Sequence, residues 1–146
     1  MAVLLGTSGN NVLRGGTRPD QIYGFGGADT LYGNESNDFL SGGSGNDSLY
    51  GGVGNDTIVG GRGADTHYFA VDSGNDLVTD LNPSEGDRIV LLGVTYSDIR
   101  YDRYTNATTL YFTPEGNDPP GEDTVTFTDA TEADVLRALG AYDLIG

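Results

Sequence analysis

Cysteine is absent from this chain, which excludes disulfides and any cysteine-ligated zinc or iron–sulfur centre. Lysine is absent too. Seven Arg stand against 22 Asp and Glu, a net charge of −15 that repels phosphate backbones and anionic membrane surfaces, so nucleic acid is excluded as a partner. A single histidine, His67, leaves no histidine cluster, and no convergent nucleophile, base and acid stand out. The reading is therefore not an enzyme. Long apolar runs are missing as well: Ala2–Leu5 is four residues and lacks a positive flank, too short for a membrane span or a signal-peptide core. Export is not expected to use a cleaved N-terminal signal. With 146 residues, the chain has room for one modest core or for a capped repeat array.

What the chain has in abundance is glycine and aspartate, in a fixed order. A nine-residue frame begins at Gly6, Gly15, Gly24, Gly33, Gly42, Gly51 and Gly60. Its sixth position reads Asn11, Asp20, Asp29, Asp38, Asp47, Asp56, Asp65, and its eighth reads Leu13, Ile22, Leu31, Leu40, Leu49, Ile58, His67. Three columns that stay in phase this long mark a repeat architecture. Residues 71–79 restore the frame after a two-residue insertion, with Asp76 and Val78 in register, as a degenerate eighth unit.

Each unit divides into a glycine-rich tight turn and a three-residue strand with one inward side chain at the eighth position. Two units then make an 18-residue coil with strands on opposite sides of a thin aliphatic core. Aspartates 18 residues apart become neighbours at roughly 5 Å, where like charges repel by about 1 kcal/mol per pair in water-like surroundings. A cation between successive turns reverses that sign. The ligands on offer are all oxygens: carboxylates, and carbonyls left unhindered by Gly15, Gly24, Gly33, Gly42, Gly43, Gly45, Gly51, Gly52, Gly54, Gly60, Gly61 and Gly63. Flexible all-oxygen sites suit Ca2+ rather than zinc or magnesium. Asp29, Asp47 and Asp65, with Asn11 as a partial partner, line one edge, and Asp20, Asp38, Asp56 and Asp76 the other, giving six candidate sites. Six divalent ions would leave a net charge of about −3. Three-residue strands bury too little to offset backbone entropy, so calcium is expected to drive folding.

The words Gly42-Gly43-Ser44-Gly45-Asn46-Asp47-Ser48-Leu49-Tyr50 and Gly51-Gly52-Val53-Gly54-Asn55-Asp56-Thr57-Ile58-Val59 resemble the RTX, or hemolysin-type, calcium-binding nonapeptide. The resemblance spans residues 3–92, and its later part, Asp76–Leu81 and Gly86–Leu91, is similar to segments that close such arrays. It implies an all-β fold, a right-handed parallel β-roll, with calcium held by paired turns. It also implies an extracellular protein exported by a type I secretion apparatus through an uncleaved C-terminal signal. Asn11 in place of Asp, and Arg18 and Ser36 in place of the fourth Gly, weaken the sites that use those turns.

Beyond the roll, assigned to residues 1–79, a capping region of residues 80–146 is expected. Ile99–Tyr104 and Thr108–Thr113 alternate as an antiparallel hairpin, and Thr124–Thr128 adds a strand. Pro114–Asp123 reads as a loop. Thr131 and Asp134 have capping-box spacing ahead of Val135, Leu136 and Leu139, with Gly140 as a C-terminal stop, which predicts a short helix over the last coil. The ending Asp143-Leu144-Ile145-Gly146 fits either a type I export terminus or a closing strand. His67, at an inward position, reads as a structural residue. Outward Tyr32, Tyr50 and Tyr68 recur every 18 residues, read first as cross-coil packing. As the alternative, that ladder makes the chain a noncatalytic carbohydrate- or surface-binding module of a larger extracellular enzyme or adhesin.

Overall fold

The computed structural model describes residues 1–114 and 123–140. Nine short strands follow the repeat: β1 (Val3–Thr7), β2 (Val12–Arg14), β3 (Gln21–Gly26), β4 (Thr30–Glu35), β5 (Phe39–Ser44), β6 (Ser48–Val53), β7 (Thr57–Arg62), β8 (Thr66–Ala70) and β9 (Asn75–Val78). Then come β10 (Arg88–Leu92), β11 (Val94–Asp102), β12 (Ala107–Pro114), β13 (Asp123–Thr128) and helix α1 (Glu132–Ala138). Odd strands β1 to β9 stack in parallel in one sheet and even strands β2 to β10 in the other, which makes a parallel β-solenoid of five coils.

Register follows the 18-residue coil: Leu4 lies beside Ile22, Ile22 beside Leu40 and Leu40 beside Ile58, while Leu13, Leu31, Leu49 and His67 line up opposite. Ile22, Leu31, Leu40, Leu49 and Ile58 are completely buried. Burying a Leu or Ile side chain contributes about 1.5–3 kcal/mol, and two such columns form the interior of the repeat coils, which Phe69, Leu110, Val125, Phe127 and Val135 extend at the C-terminal end. Apart from β2, the strands are longer than the three residues expected. Pairing continues into the next unit, as in Phe25 beside Gly43 and Gly26 beside Ser44, where the second residue of the turn, from Phe25 to Gly61, takes a left-handed conformation. Gly43 has φ 107°, and Phe25 and Asn34 hold the same region at 73° and 80° despite their side chains.

Roll geometry also extends past residue 79. β10 pairs in parallel with β8 and brings Ile89 beside His67, so an aliphatic residue closes the second column. The first column ends differently. β13 pairs in parallel with β9, placing Phe127 beside Val78, and β12 and β11 continue that sheet antiparallel, giving eight strands in all. The hairpin of β11 and β12 occupies the segments that alternate in the sequence. Helix α1 starts with the anticipated capping box between Thr131 and Asp134 and ends before Gly140, whose φ is 72°. It packs against β10 and β11 through Val135 and Ala138; Leu136 and Leu139 are only half-buried. The loop expected between Pro114 and Asp123 and the ending Asp143–Gly146 lie outside the described residues.

Candidate metal sites

Each sixth-position residue ends a turn and enters a strand, and from Asp29 onward its two carboxylate oxygens have separate roles. Oδ1 accepts the backbone N–H of the sixth-position residue one coil upstream. Asn11 N–H donates to Asp29 at 2.7 Å, Asp20 to Asp38 at 2.7 Å, Asp29 to Asp47 at 2.8 Å and Asp38 to Asp56 at 2.8 Å. Asp47 N–H donates to Asp65 and Asp56 N–H to Asp76, both at 2.9 Å. Oδ2 of Asp29, Asp38, Asp47, Asp56, Asp65 and Asp76 is buried and has no hydrogen-bond partner among the described residues.

All of those bare oxygens but that of Asp76, whose unit begins with Val71, lie over the first glycine of their own unit. A Cβ on Gly42 would strike Asp47 Oδ2 and stand 2.6 Å from the Gly60 carbonyl oxygen. One on Gly24 would strike Asp29 Oδ2 and stand 2.5 Å from the Gly42 oxygen; Gly33, Gly51 and Gly60 face Asp38, Asp56 and Asp65 in the same way. Glycine thus keeps open a space bordered by a carboxylate oxygen and, at Gly24, Gly33 and Gly42, by the carbonyl of the next coil's first glycine. Gly45, Gly52, Gly54, Gly61 and Gly63, like Gly43, have positive φ and lie close to backbone carbonyls of the preceding coil. Among the described residues no three Asp, Glu or His side chains converge, so a cation here would take most of its ligands from the backbone.

Electrostatics follow burial. Removal from water raises Asp56 to about 6, Asp65 to about 7 and Asp76 to about 8, and raises Asp38, Asp47 and Asp87 as well. The donated N–H groups oppose the rise, while carboxylates of adjacent coils add to it.

The first coil is different. Asn11 Oδ1 accepts the N–H of Thr7 at 2.6 Å and its hydroxyl at 3.1 Å. Asp20 accepts Gly16 N–H on Oδ2 at 2.9 Å and Ala2 N–H on Oδ1 at 2.6 Å, and these donors hold its carboxyl below the usual range. Gly15 borders Asp20 Oδ2 and the Gly33 carbonyl oxygen. Donors therefore reach Asn11 Oδ1 and both oxygens of Asp20, in contrast to the six bare oxygens further along.

At the other end, residues off the frame take up the pattern. Asp87 Oδ1 accepts Asp65 N–H at 2.9 Å, extending the column by a spacing of 22 instead of 18. Asp80 accepts the N–H groups of Gly60 at 2.9 Å and Gly61 at 2.8 Å, and Asp123 those of Asp72 at 2.9 Å and Gly74 at 3.2 Å. Asp87 had a visible signal, since Asp87-Arg88-Ile89 repeats the Asp-x-aliphatic ending. Asp80 and Asp123 had none.

His67 is completely buried in the second column, with neither ring nitrogen partnered among the described residues, and burial lowers it to about 4. Such a neutral imidazole is core filler. Tyr32, Tyr50 and Tyr68 form a stack, with ring centroids 4.7 and 4.2 Å apart and planes within 16° and 6°. The Arg14 guanidinium covers the outer face of the stack, 3.8 Å from the Tyr32 centroid. Burial, reinforced by a hydrogen bond with Tyr68, pushes Tyr50 up to about 12. The ring faces are spent on one another, so cross-coil packing accounts for the ladder.

Residues 5–40 and 32–66 match the family described as RTX calcium-binding nonapeptide repeat (4 copies). No curated protein matches the chain. Among solved structures it resembles the AlgE6R3 and AlgE6R2 subunits of the Azotobacter vinelandii mannuronan C5-epimerase, at 26% and 25% identity and TM-scores of 0.40 and 0.42. Those alignments cover 92% and 93% of this chain and 79% and 90% of theirs. The extracellular lipase LipA of Serratia marcescens is 14% identical over 92% of this chain and 39% of its own, with a TM-score of 0.41.

Proposed function

We propose that this chain, whose residues 5–66 belong to the RTX calcium-binding nonapeptide repeats, is a module that folds when it binds calcium outside the cell, after type I export. The carrying observation is the set of six buried carboxylate oxygens without partners among the described residues, five of them, on Asp29, Asp38, Asp47, Asp56 and Asp65, each over a glycine that leaves room for an ion. A buried carboxylate with one oxygen unpartnered is costly, and a row of them together is comparable with the whole stability of an ordinary domain, about 5–15 kcal/mol. Asp29, Asp47 and Asp65 would hold ions along one edge, and Asp38, Asp56 and Asp76 along the other, together with carbonyls of the glycine turns. Bound calcium supplies positive charge between successive turns. The chain's own contribution is to fix Oδ1 on a backbone N–H and so aim Oδ2 into the turn.

The array of one-sided carboxylates makes the fold conditional on the ion, which suits a chain that crosses a membrane unfolded at low cytosolic calcium. Extracellular modules commonly bind calcium at about 10⁻⁴–10⁻³ M. Far-UV circular dichroism during a calcium titration, with a magnesium control and chelator reversal, tests the reading. Cooperative gain of sheet with calcium alone is expected. An unchanged folded spectrum in chelator overturns the folding role, and no binding by calorimetry overturns the module reading altogether.

A further inference from the structure

The two ends of the roll are unlike. At the C-terminal end, β13 occupies the outer edge of β9 and α1 covers β10. At the N-terminal end, among the described residues nothing pairs with the outer edges of β1 and β2, which end their sheets. Val3, Leu5 and Val12 are 55%, 60% and 63% exposed there, although their counterparts one coil on are half-buried. Exposed edges of this kind are templates for another strand.

We infer that β1 is an interface that pairs antiparallel with β1 of a second copy about a two-fold axis at Leu4. Ala2 O accepts Gln21 N–H, so alternation along a parallel ladder turns the N–H and C=O groups of Val3 and Leu5 outward. Two copies related by the axis then exchange hydrogen bonds between Val3 of one and Leu5 of the other, twice over. Leu4 meets its own counterpart as a non-hydrogen-bonded pair, with Cα atoms about 4.5 Å apart. Both Leu4 side chains point inward, so the first aliphatic column runs on from one roll into the next. Outside, Val3 packs on the other copy's Leu5, extending an apolar surface that continues through Tyr23 and Phe25.

Three observations select a second copy. Head-to-tail stacking of coil on coil is closed off because β13 and α1 cover β9 and β10 of the last coil, whereas an isologous contact needs only the open end. A further coil stacked in register would donate its N–H to Asn11 Oδ1, which Thr7 already occupies. Residues 1–19 contain Arg14 and Arg18 but no Asp or Glu, so all 22 acids lie from Asp20 onward. End-to-end contact brings together the acid-free coils and keeps the acidic bodies apart.

The chain has no cysteine, so Leu4→Cys gives a clean probe: a two-fold at residue 4 places one thiol opposite the other within disulfide reach. In saturating calcium, light scattering behind size exclusion is expected to show a doubled mass at high concentration. Leu4→Cys should oxidise to a covalent dimer several-fold faster than the control Val12→Cys, although Val12 is the more exposed position, and Leu5→Lys should abolish the doubled mass. Near-UV circular dichroism on the same samples reports whether the roll is folded. A folded roll that stays monomeric, or Val12→Cys cross-linking as fast as Leu4→Cys, overturns the β1 interface and leaves the calcium reading untouched. Loss of the folded signal in every sample would count against the calcium reading instead.

Discussion

Removing the ion and lowering the pH should oppose each other, and the structure sets the scale. In the folded, metal-free chain, burial lifts Asp76 from 3.8 to about 8. Ionising it at pH 8 therefore costs about 5 kcal/mol relative to the unfolded chain. Asp56 and Asp65 add to this with smaller weight, since they are better screened by solvent. A carboxyl raised by folding contributes stability below its unfolded value and loses it as pH rises through the folded one. For these three groups that window runs from about pH 4 to about pH 8. His67 has the opposite sign. Its folded value of about 4 lies below 6.5, so its contribution, about 3 kcal/mol, is lost as pH falls between the two. Metal-stripped protein should therefore be most folded near pH 5 and unfold towards pH 8. Calcium should remove the alkaline limb. The measurement is sheet content by circular dichroism across pH, at low concentration because charge vanishes near pI 4.1. A metal-free folded fraction that is flat or rising from pH 5.5 to 8 would refute this account of the carboxylates.

His67→Leu places an aliphatic residue between Leu49 and Ile89 and removes two unpartnered nitrogens. It should stabilise the calcium-loaded roll by about 1–3 kcal/mol in urea and erase the acid limb of the metal-free profile. Asp47→Asn keeps an oxygen for Asp29 N–H but neutralises the side chain, so the metal-free chain should gain stability while calorimetry shows fewer bound ions; Asp20→Asn should leave the ion count unchanged. Tyr50→Ala deletes both stacks of the ladder and should cost about 1–3 kcal/mol in urea without changing calcium stoichiometry.

The roll was legible because one period governs backbone and side chains together. A glycine, an acid and an aliphatic residue at fixed offsets define the turn, the site and the core at once, which is why Ile22, Leu31, Leu40, Leu49 and Ile58 fall where the frame puts them. The hairpin and capping box were legible for a similar local reason: alternation and a three-residue offset need no knowledge of the rest of the chain. What escaped was non-local. Nothing near Thr124–Thr128 indicates that it pairs with β9, and strand length was underestimated because Phe25 and Asn34 accept the left-handed conformation that glycine adopts at the same turn position.

Within the candidate sites, residue type placed the acids but could not distinguish Asp20 from Asp47. The difference is a single donor. Gly16 N–H reaches Asp20 Oδ2, whereas no donor reaches Asp47 Oδ2 among the described residues, and both sit in nearly the same nine-residue word. An acid with a backbone donor on each oxygen is a turn cap that folding satisfies unaided. One with a donor on Oδ1 alone is half a cap, and folding leaves its second oxygen buried and charged. Stacking coils multiplies that deficit while adding core at the same rate, so lengthening such an array cannot make it fold without a cation. The off-frame acids Asp80 and Asp123 avoid the deficit by spending both oxygens on N–H groups, and they lie where the array stops.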